Sequence, residues 1–427
     1  MGRPPECTTH LGANRDERRR SVAESPIPRC IEWAYPRYAR KSGVETVAVP
    51  VSLTLVPRPS TVLIVGAGIA GPALAFWLHR YGFRPTVVER APELRRGGHA
   101  VDLRGVSRQV ADRMGVLDAV RAARLITIDA TLVDRDGTAI ETQRADDFGG
   151  DGQLSDLEIL RSDLVGILHD ATAADVPYRF GEQIVAIEEG PDGVDVTFAT
   201  GARERYDLVV GADGQHSQVR RLVFGELPDA LRPMGTHAAW WHTANHLGLQ
   251  DRALEYADRS RMAGIRPVDG NRSAIAFLGF PSDGLPPGPY DTEQALQIVR
   301  EQSAGMGWEV PRLVAAIDAS SDLFLDTFSQ VVLDTWAHGR VVLLGDAGFC
   351  PSPLSGQGTA LALIGGYVLA GALATEPDPT AAFAVYEQRL RPWVERTQAL
   401  ARDGADGPSI AELANDFTLP EPVATTV

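Results

Sequence analysis

The apolar positions of this chain change their period several times, and each change marks an element. Residues 61–65 form an unbroken β-branched and aliphatic run closed by glycine, the pattern of a strand buried on both faces. Apolar residues then recur at helical spacing over 70–81, and 86–89 returns to a strand pattern, so the segment reads as a βαβ unit. Further on, 116–123 and 162–171 read as helices. Residues 183–188 and 194–199 alternate as strands around an Asp192-Gly193 turn, and 206–211 is another buried strand. Between Arg232 and Phe280 the period is nearer two than 3.6, with Asp269-Gly270 as punctuation, which predicts a mostly antiparallel sheet. A helical stretch over 291–305 and a buried strand over 341–344 complete the pattern.

That order predicts an α/β fold: a doubly wound, Rossmann-like nucleotide-binding domain split in sequence, with a mostly antiparallel β-sheet substrate domain inserted. The expected boundaries are 59–231 and 336–427 for the two parts of the first domain, the second part carrying C-terminal helices, and 232–335 for the insertion. Residues 347–375 carry no charge, but Pro351, Pro353, Gly356 and Gly358 interrupt them. About 17 helix-forming residues remain, short of the ~20 needed to span a bilayer, so a helix buried in protein is expected rather than stable membrane insertion.

Charge and composition narrow the chemistry. Residues 1–58 hold ten basic and six acidic residues, while the remainder has a net charge of −19. That first segment lacks an apolar stretch followed by a small-residue cleavage site; it reads as a disordered tail or translated upstream sequence, and the expected location is cytoplasmic. With a net charge of −15 and no compact basic patch past residue 60, no nucleic-acid partner is expected. Of 41 basic residues only Lys41 is lysine, and arginine cannot form a Schiff base, so a pyridoxal enzyme or a lysine-bearing phosphate loop is disfavoured unless Lys41 serves. Cys7, Cys30 and Cys350 have no paired spacing and cannot make a four-cysteine zinc site, a cluster or a disulfide framework. No metal site is expected; redox chemistry would need an organic cofactor. His242 and His246 have i,i+4 spacing, but the strand-like period around them argues against a zinc helix.

Gly66-Ala67-Gly68-Ile69-Ala70-Gly71 follows a predicted strand and opens a predicted helix. In that context the glycines serve a tight turn, close approach of a pyrophosphate and helix-to-strand packing, with the diphosphate at the helix N-terminus. Glu89, 18 residues past Gly71 and followed by Arg90, ends the second strand, where a carboxylate can accept hydrogen bonds from a ribose diol. It fits FAD or NAD better than a 2′-phosphate. Asp346 follows a buried strand, and Gly356 and Gly358 open the uncharged helix.

Two distant segments separate FAD from NAD. Asp207-Leu-Val-Val-Gly-Ala-Asp213-Gly214-Gln-His-Ser217-Gln-Val-Arg220 and Gly339-Arg-Val-Val-Leu-Leu-Gly345-Asp346-Ala347, continuing to Pro351-Ser-Pro-Leu-Ser-Gly356-Gln-Gly358, stand after the glycine run in the order of the single-component FAD-dependent aromatic hydroxylases. The chain resembles that family over about 60–400, and within it the tetracycline-modifying and polyketide-tailoring monooxygenases. The resemblance implies that Asp213 and Asp346 belong to the FAD site, with Asp346 on the ribityl chain and Gly356 and Gly358 at the flavin pyrimidine. Gly97-Gly98-His-Ala-Val-Asp102 resembles a segment whose aspartate lies by the isoalloxazine ring, and Glu158-Ile-Leu-Arg161 one whose arginine contacts FAD. Arg95 or Arg96 would be the counterpart of an arginine assigned to NADPH.

By the same resemblance, NAD(P)H reduces FAD, dioxygen forms a flavin hydroperoxide, and an oxygen atom passes to an electron-rich aromatic, polyketide or tetracycline-like molecule. His237, Trp240 and Trp241 are candidate substrate contacts, and no catalytic acid or base is assigned. An FAD-dependent dehydrogenase or reductase and a non-catalytic flavin sensor remain as alternatives. Flavin halogenases on the same scaffold relay through a lysine, and the only lysine here lies in the first segment.

Overall fold

A computed structural model describes residues 61–95, 98–144, 155–319, 322–403 and 408–423 of the chain. The predicted tail with Lys41, and Arg96 of the NAD(P)H pair, lie outside the described residues.

The βαβ unit forms as its pattern predicts: strand Thr61–Val65, helix Ala70–Arg80 and strand Arg84–Glu89. Its strands pair in parallel, Val62 to Val65 being nearly inaccessible, as expected of a strand covered on both faces. Leu208–Gly211 pairs in parallel on the other side of Thr61–Val65, and Val341–Leu343 beyond it. Tyr178–Phe180 pairs in parallel outside Arg84–Glu89, and Ala337–His338 closes the opposite edge antiparallel, giving six strands. Among the described residues the strands therefore begin in the middle of this sheet, extend it on one side and then return to extend it on the other. The reversal falls at Thr61–Val65, and the crevice beyond the carboxyl ends at such a point is where parallel sheets bind ligands.

The uncharged segment becomes helix Gly358–Thr375, which packs against Ala70–Arg80 and is buried over most of its length. By length and composition it could cross a membrane, but here its apolar surface is covered by protein. The hairpin around Asp192-Gly193 forms too, with Arg203–Tyr206 as its third strand.

The second sheet has seven strands and is larger than residues 232–335 allow for. Leu231–Ala244, Arg252–Asp258, Arg261–Val268, Ser273–Pro281 and Phe324–Val331 pair antiparallel, as the two-residue period predicts. Asp129–Val133 and Ala139–Arg144, expected within the first domain, extend this sheet instead: Asp129–Val133 runs parallel beside Arg252–Asp258. Strand pairing is non-local, so proximity in sequence to the first domain did not decide the partner. Helices Thr292–Ser303 and Val310–Ala315 cover one face, enclosing a core of Trp241, Leu278, Phe280, Val299 and Leu313.

Candidate functional site

Four site segments leave the parallel sheet at the carboxyl ends of adjacent strands. Gly66 follows Thr61–Val65, Glu89 ends Arg84–Glu89, Asp213 comes two residues after Leu208–Gly211, and Asp346 three after Val341–Leu343. The topology, not the spacing in sequence, brings them together.

At the glycine run the side-chain requirement is steric. Gly66 has φ +111°, and a Cβ there would lie 2.3 Å from the Ala212 carbonyl oxygen. A Cβ on Gly71 would lie 2.0 Å from the Gly66 carbonyl oxygen. Neither contact can relax without moving backbone. Gly68 lies beside Arg161, a Cβ there coming 3.3 Å from a guanidinium nitrogen. Glu89 braces the run: its carboxylate accepts from the backbone N–H of Ala67 at 3.0 Å and of Ala91 at 2.9 Å. Arg90, next in sequence, is exposed.

The helices opening at this crevice, Ala70–Arg80 and Gly358–Thr375, have neither a side-chain cap nor an acidic residue in the first turn. Thr292–Ser303 and Ile410–Asn415, elsewhere, each carry a capping box. Uncapped N-termini present unsatisfied N–H groups and a positive dipole end, the arrangement that receives phosphate or an anionic ring edge. A Cβ on Gly358 would meet nothing within 4 Å, so space is open in front of the second of these helices.

Arg161 begins helix Arg161–Asp170, and its guanidinium makes no hydrogen bond or ion pair with a described residue. Burial and then Arg95 push it below the ordinary arginine value, against pulls from Asp346 and Glu89. An arginine so placed, beside Gly68 and without a hydrogen-bond or ion-pair partner among the described residues, is prepared for an external anion. The Asp346 side chain is accessible yet surrounded by protein, as on the wall of a cleft, and burial raises its carboxyl against a hydrogen bond from Cys350. Cys350 itself is buried, and the Ser329 carbonyl, 3.4 Å from its Sγ, is an alternative acceptor for the same thiol proton. Arg95 is exposed and lines a surface depression of about 510 Å³ with Leu94, Ser162, His169 and Phe180.

Asp102 is no surface charge. Strand pairing of Ala100–Asp102 with Glu158–Leu160 sets it opposite Glu158, and burial followed by that like charge pushes its carboxyl up to about 7. Arg104, 3.0 Å from Asp102, opposes the shift and also donates to the Gly356 carbonyl at 3.0 Å. Gly356 is left-handed at φ +61°, and a Cβ there would lie 2.5 Å from the Arg104 guanidinium. Glu158 in turn takes two hydrogen bonds from Arg266 of the seven-stranded sheet, one at 2.6 Å. This chain of charges ties the second sheet to the loop that opens the uncharged helix.

Three expected positions make their contacts within the protein. Asp213 gives its carboxylate to its own loop, accepting from Ser217 Oγ at 2.5 Å and the N–H groups of Gln218 and Val219 at 2.6 and 3.1 Å. It frames the start of helix Gln218–Phe224. His237 and Trp241 point to the helix-covered face of the seven-stranded sheet. His237 is fully buried, with Ser282 Oγ, Tyr290 Oη and Thr327 Oγ1 at 2.7, 2.7 and 2.9 Å. Trp241 is 2% exposed and donates to the Leu313 carbonyl. Side chains alternate along a strand, so Trp240 lies on the opposite face.

There Trp240 meets residues the sequence reading passed over. Its ring is 4.9 Å from His99, 6.1 Å from Phe324 and 6.1 Å from Phe328, the last two near parallel to it. Asp326 shares the Phe324 and Phe328 side of its strand and lies 3.1 Å from His216 Nε2. The signal was present as Phe324-x-Asp326-x-Phe328, a two-residue period within Phe324–Val331.

The FAD-binding domain family profile matches residues 59–399. A flavin-dependent monooxygenase of Legionella longbeachae is 38% identical over 338 residues, covering 79% of this chain and 86% of its own. The chain belongs to this family of FAD-dependent monooxygenases. An uncharacterized protein of Mycobacterium tuberculosis is 41% identical over 349 residues, covering 81% of this chain and 94% of its own. The crystal structure of the tetracycline destructase Tet(51), 33% identical, superposes with a TM-score of 0.78 over 86% of this chain and all of that one. A flavoprotein oxidoreductase accounts for the uncapped helices and for Arg161, which has no hydrogen-bond partner among the described residues: the residues present fit FAD.

Proposed function

We propose that this chain uses NAD(P)H and dioxygen to hydroxylate an electron-rich aromatic, polyketide or tetracycline-like small molecule. The observation that carries this reading is the aromatic face of Trp240, Phe324 and Phe328, which meets His99 of the cofactor side. A flat, electron-rich ring matches such a face, and the similarity to tetracycline destructases agrees with it.

In this reading the six-stranded sheet is the doubly wound FAD domain and the seven-stranded sheet the substrate layer. The N–H groups from Gly66 to Ala70 would take the pyrophosphate with Gly68 and Gly71 keeping the approach clear, Glu89 the ribose and Arg161 a phosphate oxygen. Asp346 would hold the ribityl chain, and the Gly356 to Gly358 turn the flavin pyrimidine. Bound FAD would supply the electron transfer from NAD(P)H to dioxygen. The protein does the rest. The N-terminus of Gly358–Thr375 stabilises negative charge at the pyrimidine edge, and Asp102, its carboxyl pushed up to about 7 by burial and Glu158, carries less than a full negative charge beside it at neutral pH. Trp240 and its neighbours exclude water and set the substrate ring. Arg95, at the rim, is the contact for the nicotinamide nucleotide's phosphates.

The test is NAD(P)H consumption by the FAD-loaded protein with phenols, polyketides and tetracyclines, under air and under nitrogen. The proposal expects substrate-stimulated consumption and a hydroxylated product under air only. A product formed equally under nitrogen would mark a dehydrogenase or reductase, and FAD that no nicotinamide nucleotide bleaches would mark a sensor.

A further inference from the structure

Strand Phe324–Val331 turns two different rows of side chains to its two faces. Leu325, Thr327 and Ser329 are buried, whereas Phe324, Asp326 and Phe328 are all partly accessible, on the face that Trp240 shares. A carboxylate thus stands between two phenyl side chains in an open aromatic face. Its position is held: Oδ1 accepts from the Thr327 N–H at 2.8 Å and from His216 Nε2 at 3.1 Å. A carboxylate has about four lone-pair sites, so acceptor capacity remains, and 19% of the side-chain surface is open to a ligand. Ala238 stands directly opposite Asp326 on the paired strand, as Trp240 stands opposite Phe324, and the short alanine leaves room beside the indole. After burial and nearer groups, the Asp326 charge is among the influences that raise the Asp346 carboxyl and the Cys350 thiol, so it is felt at the cofactor side of the cleft.

We propose that Asp326 is the residue that selects the substrate, its carboxylate receiving the ammonium group of an amine-bearing aromatic molecule whose ring lies against Trp240. The inference rests on the monooxygenase reading and adds the charge of the molecule taken. Ring faces carry the negative end of their quadrupole and attract an ammonium within about 6 Å, and the rings of Trp240, Phe324 and Phe328 meet here. A partly buried carboxylate has lost hydration that a bound ammonium replaces with a charge-assisted hydrogen bond. An anionic substrate would bring like charge against Asp326, so the residue that attracts the one excludes the other. His216 acts through Asp326: its carbonyl accepts from Arg221 at 3.0 Å, which anchors the loop that holds the carboxylate in place.

The test is equilibrium binding to the oxidised, FAD-loaded enzyme without NAD(P)H, so a failure of turnover and a failure of this inference are read separately. Two matched pairs serve as probes, tyramine against 4-ethylphenol and tetracycline against 4-dedimethylaminotetracycline, followed by titration calorimetry. In each pair wild type should bind the ammonium compound about tenfold more tightly. Asp326→Asn, which keeps an acceptor for His216 but not the charge, should remove that preference and leave the neutral compounds within about twofold of wild type. Asp326→Glu, which returns the charge, should restore part of the preference. Four results overturn the proposal: equal binding within each pair by wild type, preference intact in Asp326→Asn, charged and neutral compounds weakened alike in that variant, or no binding of either ammonium compound by wild type.

Discussion

Replacing Asp102 by Asn removes a carboxyl that folding forces toward its neutral form. In the unfolded chain an aspartate titrates near 3.8; in the fold, burial and Glu158 opposite raise it to about 7. Because the folded value is the higher one, stability is fully present below about pH 4 and declines as pH rises toward 7, where the folded carboxyl finally ionises. Each unit of difference is worth about 1.4 kcal/mol, so the whole span of about three units sets a ceiling of roughly 4 kcal/mol. Between pH 5 and 8 about two of those units fall, some 2–3 kcal/mol. Asparagine keeps the shape and carries no such titration. Denaturant unfolding of wild type and Asp102→Asn at pH 5 and pH 8, with equal excess FAD, should show wild type losing about 2–3 kcal/mol relative to the variant. A difference independent of pH would refute the reasoning and leave Asp102 as an ordinary ionised partner of Arg104.

Arg161→Met should weaken FAD binding roughly ten- to a hundredfold, the worth of a charge-assisted hydrogen bond, while the FAD-free protein melts no lower than wild type, because among the described residues the side chain has no hydrogen-bond partner to lose. Calorimetric FAD titration and FAD-free melting curves read the two effects separately. Gly71→Ala forces a methyl against the Gly66 carbonyl oxygen at 2.0 Å and should cost about 2–3 kcal/mol together with most of the bound FAD, seen in the flavin-to-protein absorbance ratio of the purified protein. The adjacent tryptophans should part company: Trp241→Ala empties a core site and costs about 3–5 kcal/mol, whereas Trp240→Ala should cost roughly 1 kcal/mol and raise KM for the aromatic substrate.

What the sequence made legible was local. The glycine run, its strand and helix, and Glu89 at the end of the next strand are consecutive, and each has a steric or electrostatic reason that needs no distant partner. The uncharged helix was legible because helix breakers fix its start near Gly358, but that protein covers its apolar surface is known only from its packing against Ala70–Arg80. What escaped depends on pairing across the fold. Asp129–Val133 could join either sheet by its pattern, and its parallel partner, Arg252–Asp258, lies far along the chain. Strand parity separates Trp240 from Trp241, but which face meets the cofactor side is decided by where helices Thr292–Ser303 and Val310–Ala315 pack. Asp213 satisfies an Asp-Gly motif whether or not it also frames the helix that follows, and only the structure shows it accepting from the Gln218 and Val219 N–H groups. His99 lay inside a recognised segment, unremarkable until its ring met Trp240.

The most direct test of the account is the fate of labelled dioxygen. With a tetracycline or phenolic substrate that stimulates NAD(P)H consumption, turnover under isotopically labelled dioxygen in ordinary water should place one labelled atom in the product, by mass spectrometry. An oxidised product without label, or one labelled only in the reverse experiment with labelled water, would contradict it.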